Sequence, residues 1–282
     1  MGTLYLCATP IGNLEDITLR VLRTLKEVDL IAAEDTRNSI KLLNHYDIHT
    51  PLTSYHEHNK IKKGRLLVEK MRQGQDVALI TDAGTPGISD PGEELVQMCY
   101  QKGIAVTALP GAAACILGLT LSGLPARSFA FEGFLPMDAK KRRERLEVLV
   151  RETRTIVLYE APHRLAKTIG ELAQTLGGER RISLCRELTK RHEEVFQTTL
   201  NGLAKRLQSQ EAKGECVLVI QGKSRQEIKE ERQRQWSQMD LSEHMAYYES
   251  QGLDRKEAMK QVARDRGLGK RDVYRQLLEE GE

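Results

Sequence analysis

Short apolar runs alternate with amphipathic segments along the first part of the chain. Each run is continuous, as in strands that helices cover on both faces. The runs lie at residues 4–8, 30–33, 77–80 and 105–108. Between them, apolar residues recur at helical spacing, for example over residues 17–28 and 61–71. Strands that alternate with helices predict an α/β domain with a mostly parallel sheet.

The same alternation resumes near residue 127. Strands are predicted at residues 129–134, 155–159, 182–185, 194–197 and 216–220, and helices at 140–152, 163–176 and 200–208. A Gly-Leu-Pro-Ala segment at residues 123–126 separates the two regions and is the expected hinge. The pattern therefore predicts two α/β domains, residues 1–124 and 125–222, followed by a linker and helical tail over residues 223–282.

The tail differs in composition from the rest of the chain. Residues 223–234 mix both charges and predict a linker or a solvated helix. Residues 241–278 predict two or three short helices, and the Gly-Leu-Gly break at 267–269 is typical of a helix-turn-helix. Residues 254–275 hold eight basic and four acidic side chains, which favours an RNA-binding tail and a small solvated bundle about equally.

Composition limits the class of protein. Hydrophobic residues make up 40% and charged residues 29% of the 282, as in a globular protein. The net charge of +3 does not by itself indicate a nucleic-acid partner. Five scattered cysteines and the lack of a signal-like segment favour a cytoplasmic location. No apolar run approaches the ~20 residues of a membrane span, so no membrane association is expected.

The stretch over residues 79–92 is the most informative part of the sequence. An apolar strand runs into a turn rich in Gly, Pro, Asp and Thr, and a helix begins directly afterwards, with Ser89 or Asp90 as its expected cap. Gly84 allows a close approach of ligand to backbone, and Asp82 offers a carboxylate. A strand end, loop and helix start together form a ligand cradle in α/β proteins. An ordinary strand-to-helix turn is the alternative.

The loop lacks the known phosphate-binding motifs, which limits the classes of ligand that it could bind. It has neither a Walker phosphate-loop ending nor the G-x-G-x-x-G spacing of a dinucleotide site. No basic residue lies within residues 79–92 to neutralise a phosphate. An acidic loop that contains glycine suits a ligand with a positive group, such as an ammonium or a sulfonium.

Two further clusters of polar residues contain candidates for chemistry. Glu34, Asp35 and Arg37 come directly after the second strand, where one carboxylate could act as a base or substrate clamp. A helix cap by Asp35 with a surface ion pair is the alternative. His56 and His58 could belong to a proton-transfer loop, although a plain loop before a helix is the simpler interpretation. Two histidines do not complete a metal site, and none is expected.

Seven motifs occur in order along the chain, and together they resemble one known family. They are TPIGNL (9–14), AEDTR (33–37), SYHEHN (54–59), TDAGTP (81–86), LPGA (109–112), EGFLP (132–136) and YEAPHR (159–164). The pattern resembles the tetrapyrrole-methylase superfamily and, within it, the bacterial branch that methylates a ribose 2′-hydroxyl in small-subunit ribosomal RNA. The resemblance extends from residue 4 to residue 222 and continues into the tail.

The resemblance implies a fold and a cofactor. The fold is two α/β domains of the tetrapyrrole-methylase type with an interdomain cofactor cleft, plus the small C-terminal helical domain. The cofactor is S-adenosylmethionine, and the protein is usually a homodimer. The residues expected to line its pocket are Pro10, Asp82, Gly84, Thr85, Ala113, Ala114, Glu160 and Glu187 or Leu188.

The implied substrate is a cytidine in the decoding centre of 16S ribosomal RNA, and this RNA is expected to be part of the small ribosomal subunit when it is methylated. Residues 81–86 depart from the Gly-Asp-Pro motif of tetrapyrrole-modifying relatives, which favours RNA over a corrinoid or porphyrin. Two alternatives stay open: a tetrapyrrole methyltransferase, and a non-catalytic helix-turn-helix protein that binds nucleic acid.

Candidate residues for the chemistry follow from the polar clusters. The ribose hydroxyl is a weak nucleophile, so a nearby group should accept its proton, and Asp35, Glu34 and His56 are the candidates. Basic side chains on a predicted helix edge and in the tail should hold the RNA backbone. These residues are Arg37, Lys140, Lys141, Arg142, Arg143, Lys270 and Arg271.

Overall fold

The computed structural model describes residues 1–210 and 212–279. The chain divides into two compact units: one holds residues 1–150 and 154–221, and the other holds residues 151–153 and the segment from 222 onward. Within the described ranges, no helix combines the length and apolar character needed to cross a membrane.

The first unit begins with a five-stranded parallel sheet and its helices. The strands are β1 (Thr3–Cys7), β2 (Leu30–Ala33), β3 (Leu52–Ser54), β4 (Val77–Ile80) and β5 (Ala105–Leu109). The helices are α1 (Leu19–Glu27), α2 (Thr36–His45), α3 (Lys60–Arg72), α4 (Glu93–Gln101) and α5 (Ala114–Leu121). The strand order is β3-β2-β4-β1-β5, and every pairing is parallel, as the alternation of strands and helices predicts.

Both faces of this sheet are covered by apolar clusters. Successive residues of β1 point to opposite sides, so Tyr5 and Cys7 pack with Val21 of α1, while Leu4 packs with Leu67 of α3. This double coverage explains why the strands are continuous apolar runs.

The second half of this unit contains a mixed sheet. Its strands are β6 (Phe129–Phe134), β7 (Thr155–Glu160), β8 (Arg181–Arg186), β9 (Glu194–Thr199) and β10 (Cys216–Ile220), in the order β6-β7-β10-β8-β9. Only β6 and β7 are parallel neighbours. The helices are α6 (Ala139–Val150), α7 (Pro162–Leu176) and α8 (Leu200–Ser209). An apolar cluster between these helices and one face of the sheet forms the core.

The two sheets share an apolar core around α5. Leu119 of α5 lies in one buried cluster with Val157 of β7 and Val217 of β10. The helix approaches β10 closely, because a Cβ atom added to Gly118 would lie 2.8 Å from Val217 Cγ1. The predicted boundary between residues 124 and 125 falls in the connection from α5 to β6. This shared core fixes the strand ends of both sheets relative to one another.

The second unit is helical. It contains α9 (Arg225–Ser237), α10 (Leu241–Ser250), α11 (Arg255–Arg266) and α12 (Lys270–Glu279). The last three pack on a small apolar core, and Trp236 of α9 stacks on His244 of α10. Ser224 and Glu227 form a capping box at the start of α9, so the mixed-charge segment is a helix. Gly267 adopts the left-handed conformation with φ of 67° and ends α11. The predicted turn between two helices therefore occurs at residues 267–269.

Candidate active site

A cavity of about 320 Å³ lies at the carboxyl ends of strands from both sheets. Its size falls within the range of about 300–1,000 Å³ that small-molecule pockets have. Loops after β1, β4 and β5 bound it on one side, and the ends of β6 and β7 with the start of β10 bound it on the other. The lining residues are Ile11, Ala83, Gly84, Thr85, Ile88, Ser89, Asp90, Ala113, Ala114, Phe134, Tyr159, Glu160, Ala161, Pro162, Glu215, Cys216 and Val217.

Hydrogen bonds tie the three loops of the first sheet together. The backbone of Thr9 exchanges two hydrogen bonds with Gly84, with N···O distances of 2.9 and 3.0 Å. Gly84 has φ of +87°, a conformation that glycine adopts without strain. The hydroxyl of Thr85 donates to the carbonyl of Ala112 at 3.0 Å. The cavity wall is therefore formed by backbone contacts within the protein itself.

The described lining is acidic. It contains Asp90, Glu160 and Glu215 but neither lysine nor arginine. Burial, followed by the nearby charge of Asp82, raises the pKa of Asp90. Two of these carboxylates are paired with cations outside the described lining: Glu160 with Arg164 at 3.3 Å and Glu215 with Lys190 at 3.1 Å. The remaining negative charge, on Asp90, favours a cation and disfavours phosphate.

The carboxylate of Glu160 is bound within the protein. It accepts hydrogen bonds from the Thr168 hydroxyl at 2.5 Å and from the Ala161 backbone amide at 2.9 Å. Arg164 Nε lies 3.3 Å from the same carboxylate, whose side chain is fully buried. Glu160 therefore fixes the turn from β7 into α7, where Pro162 occupies the first helical position.

The structure separates the expected cofactor residues into two groups. Gly84, Thr85, Ala113, Ala114 and Glu160 line the cavity. The described lining does not include the other four, which are Pro10, Asp82, Glu187 and Leu188.

Asp82, Glu187 and Leu188 instead contact other residues of the protein. The carboxylate of Asp82 accepts from the Asp35 amide at 3.2 Å and from Asn38 Nδ2 at 3.0 Å. Glu187 accepts from Lys190 and from the Glu215 amide, both at 3.0 Å. Leu188 is buried in the core that both sheets share. These residues support the walls of the cavity, and their direct contact with a cofactor stays a prediction.

Sequence reasoning missed several lining residues. Ile88, Ser89 and Asp90 lie in the informative stretch but were interpreted only as turn and cap. The observed cap of α4 is Gly92, with no capping side chain, so the expected cap by Ser89 or Asp90 was wrong. Cys216 and Val217 begin a strand, and no local signal marks them, since only the pairing of β10 with β7 brings them to the cavity.

Asp35 has the contacts of a helix cap. Its side chain accepts from the Arg37 amide at 2.9 Å and caps α2. The Arg37 guanidinium also donates to both carboxylate oxygens, at 3.1 and 2.7 Å. These hydrogen bonds from Arg37 lower the pKa of Asp35 to about 2. These contacts match the cap and surface ion pair given above as the alternative.

Glu34 has the opposite environment. It is partly buried at the end of β2. Burial is the largest cause of its raised pKa, and the charges of Asp90 and Asp82 add to it. A raised pKa makes a carboxylate a better proton acceptor near neutral pH.

His56 is held by its own loop. Asn59 Oδ1 accepts from the His56 amide at 2.9 Å, and Asn59 Nδ2 lies 3.0 Å from His56 Nε2. Since Asn59 donates to Nε2, the neutral ring carries its proton on Nδ1, which is buried and lacks a partner among the described residues. The described residues form no group of three potential metal ligands.

The expected RNA-binding residues differ in exposure. Lys140, Lys141 and Arg143 on α6 are exposed, as are Lys270 and Arg271 at the start of α12. Arg37 is exposed and paired with Asp35.

Arg142 is a correction to the expected RNA contacts. It is only 7% exposed, and its guanidinium donates to Glu171 at 2.6 Å and to Thr168 at 2.8 Å. It is therefore not available to an RNA phosphate. Its place is in the packing of α6 against α7.

The chain matches the Tetrapyrrole (Corrin/Porphyrin) Methylases family over residues 3–204. It is 49% identical over 273 residues to the ribosomal RNA small subunit methyltransferase I of Halalkalibacterium halodurans, covering 97% of this chain and 93% of that protein. The protein of the same name from Synechocystis is 46% identical over 279 residues, covering 99% and 98%.

Solved structures show the same fold at low sequence identity. Diphthine synthase aligns with a TM-score of 0.61 and 14% identity, covering 79% of this chain and 91% of that chain. Uroporphyrin-III C-methyl transferase from Thermus thermophilus, in complex with S-adenosyl homocysteine, aligns with a TM-score of 0.55 and 21% identity, covering 78% and 97%.

The two relatives span almost the whole chain, whereas the family model and the solved structures cover about three quarters of it; together they confirm the predicted enzyme class and the predicted fold. They do not support the alternative of a non-catalytic nucleic-acid-binding protein. The chain belongs to the Tetrapyrrole (Corrin/Porphyrin) Methylases family, in the branch of proteins named ribosomal RNA small subunit methyltransferase I.

Proposed function

We propose that this methyltransferase, with S-adenosylmethionine as its cofactor, methylates the ribose 2′-hydroxyl of a cytidine in the decoding centre of 16S ribosomal RNA. The observation that carries the proposal is the acidic cavity, which has no lysine or arginine in its described lining. The names of the relatives at 45–49% identity support an RNA of the small subunit as the substrate. A tetrapyrrole substrate has less support, because two neighbours named for uroporphyrin methylation are 22% and 21% identical and show only the fold.

The residues of the cavity fit this cofactor. It carries a positively charged sulfur and an ammonium group, which the acidic lining favours. Gly84, Ala113 and Ala114 have small or no side chains and leave room for a flat group. When bound, S-adenosylmethionine supplies a methyl group that is already activated for transfer.

The main contribution of the protein is then alignment and exclusion of water. The hydrogen bonds of Thr9 with Gly84 and of Thr85 with Ala112 hold the loops in place before any ligand binds. A preformed wall of this kind lowers the cost of ordering the site on binding.

Of the three candidates for proton acceptor, we favour Glu34, which is not among the described lining residues but lies near enough to the lining residue Asp90 for that charge to raise its pKa. In the reaction, the 2′-oxygen forms a bond to the methyl carbon, the carbon–sulfur bond breaks, and the hydroxyl proton passes to a base. Burial raises the pKa of Glu34, whereas Arg37 holds the pKa of Asp35 at about 2, so Asp35 is a weak acceptor. His56 stays a candidate.

The exposed basic residues are proposed to hold the RNA backbone. They are Lys140, Lys141, Arg143, Lys270 and Arg271, with Arg37 beside the cavity loops. Contacts with phosphate release counterions, so affinity should fall as salt rises. Small ribosomal subunits as the physical substrate, a homodimer as the working form and a cytoplasmic location stay predictions.

A map of ribose methylation in 16S ribosomal RNA tests the proposal. RNA from cells that lack the gene for this chain should miss one 2′-O-methylcytidine in the decoding centre, and the wild-type gene should restore it. An unchanged map, or a missing methyl group on a base, would contradict the proposal.

A further inference from the structure

One aromatic side chain at the rim of the cavity is unusually exposed. Phe134, the last residue of β6, lines the cavity and is 53% exposed. Ile88, in the loop after β4, lines the same cavity and is 50% exposed. A large exposed apolar group that lines a cavity mouth is typical of a ligand-binding surface.

A β-bulge aims the ring of Phe134. The register between β6 and β7 shifts between Phe131 and Gly133, and Gly133 has φ of +61°. In a regular strand, residues 131 and 134 would point to opposite faces. Here both rings contact Tyr159, with centroid distances of 5.0 and 5.7 Å. The extra residue of the bulge thus turns Phe134 to the cavity side.

Two arginines fix the loop that follows. The carbonyl of Leu135 accepts from Arg164 at 3.2 Å, and the carbonyl of Pro136 accepts from Arg142 at 3.4 Å. The hydroxyl of Tyr159, which supports the Phe134 ring, accepts from the Cys115 amide at 3.0 Å. The ring is therefore held in place by the protein alone, so little ordering is needed when a partner stacks on it.

The surroundings of the rim identify the chemistry of the partner. The loop after β4 comes close to the bulge, because a Cβ atom added to Gly133 would lie 3.8 Å from Ser89 Oγ. Just beyond Phe134 in sequence, α6 begins with the exposed cations Lys140 and Lys141. An apolar aromatic face followed by cations suits an unpaired base attached to a phosphate backbone.

We propose that Phe134, with Ile88 lining the same cavity, stacks the base of the nucleotide that is methylated and is a substrate-specificity residue. This inference rests on the proposed function, since it requires RNA as the substrate. Stacking on the rim presents the ribose of that nucleotide to the cavity, while the base stays outside the cofactor space.

The test measures steady-state kinetics on small ribosomal subunits from cells that lack the gene. Phe134→Ala should raise KM for the subunits about ten-fold, the size of one lost base-aromatic stack. The dissociation constant for S-adenosylmethionine should stay the same. Phe134→Trp should restore KM, because its ring also stacks. Met137→Ala is the matched control, since Met137 is 78% exposed three residues further on and does not line the cavity.

Three results would overturn the inference alone. The first is wild-type KM in Phe134→Ala. The second is weaker cofactor binding with an unchanged KM for subunits, which would mean that the ring contacts the cofactor. The third is a Phe134→Trp protein that is folded, as thermal unfolding shows for each variant, but does not restore KM. A wild-type protein that does not methylate subunits would overturn the proposed function together with this inference.

Discussion

Two adjacent carboxylates, Glu34 and Asp35, have opposite surroundings at the end of one strand. Asp35 lies beyond the strand, caps α2 and is neutralised by Arg37. Glu34 is partly buried beside Asp82 and Asp90, which raises its pKa. The sequence offered both as candidates, and only their contacts distinguish a capping residue from a group suited to accept a proton.

Replacement of Glu34 with glutamine should lower kcat by about 100-fold, the usual contribution of a general base, with cofactor affinity retained. In the wild type, kcat should fall as the pH falls through the raised pKa of Glu34, because the protonated carboxyl cannot accept a proton. Measurements of kcat against pH for both proteins test this.

Asp35→Asn is the matched control for that variant. Asparagine caps a helix as well as aspartate does, so the substitution removes the charge and keeps the cap. We expect a much smaller loss of kcat than for Glu34→Gln. The reverse order of the two losses would assign the base to Asp35.

At the scale of elements, α6 shows which of its basic residues could be predicted from the sequence to be exposed. Arg142 and Arg143 are neighbours in one basic run and are alike as sequence. Arg142 lies four and seven residues before the buried Leu146 and Leu149 and therefore on the inner face of the helix. The sequence alone therefore indicated that Arg142 faces the core, but its place in a run of basic residues led to the prediction of an RNA contact.

The two arginines should respond differently to alanine. Arg142→Ala removes the buried partner of Glu171, which keeps only a longer contact with Lys167 at 4.0 Å, and should lower the free energy of unfolding by roughly 3 kcal/mol. Arg143→Ala should change stability by less than about 0.5 kcal/mol and instead weaken RNA binding. Urea unfolding and RNA titrations of both variants measure these effects. Equal stability losses would show that Arg142 has no special structural role.

The strands illustrate a similar limit. Continuous apolar runs identified β1, β2 and β4, because burial on both faces demands them. The run at β5 also predicted a strand correctly, although β5 lies at the sheet edge and most of its residues are exposed. β3 was missed, since its three residues are only half-buried and two of them, Thr53 and Ser54, carry polar side chains. The antiparallel pairing of the second sheet, which brings β10 to the cavity, depends on contacts between distant segments and leaves no local pattern.

The helical tail contains a buried titratable side chain. His244 stacks on Trp236 with a centroid distance of 4.0 Å, and it accepts a hydrogen bond from Arg266. Burial, followed by the charge of Arg266, lowers the pKa of His244, while Asp265 acts in the opposite direction. Below about pH 6.5 the unfolded chain therefore binds more protons than the folded one, so tail stability decreases as the pH falls.

Trp236 is the single tryptophan of the chain, so its fluorescence reports on the tail. The urea midpoint of this signal should be lower at pH ~5.5 than at pH ~7.5, on either side of the ordinary histidine pKa. In His244→Phe the difference should shrink, because the titrating ring is gone. A midpoint that rises on acidification would contradict the argument.

At the scale of the whole molecule, a two-sheet unit with a cofactor-sized cavity accompanies a helical unit with its own core. Exposed cations occur in both. The net charge of +3 conceals this arrangement, since acidic groups gather at the cavity while basic groups lie on α6 and α12.

The salt dependence of RNA binding tests the role of the tail. The affinity for small subunits should decrease linearly with salt on logarithmic axes. Replacing both Lys270 and Arg271 with alanine should reduce that slope by roughly 1 to 2, because each cation neutralises about one phosphate. The matched control replaces Lys102 and Lys205 with alanine. Both lysines lie outside the proposed RNA contacts, so this variant should leave the slope unchanged.

The central claim is that an acidic, preformed cavity binds the sulfonium cofactor and directs its methyl group to a sugar oxygen. Equilibrium dialysis of radiolabelled S-adenosylmethionine against the purified chain and Ala113→Phe, which fills the cavity, tests it most directly. The wild type should retain the label and the folded variant should not. Failure of the wild type to retain it, or equal retention by both proteins, would contradict the account.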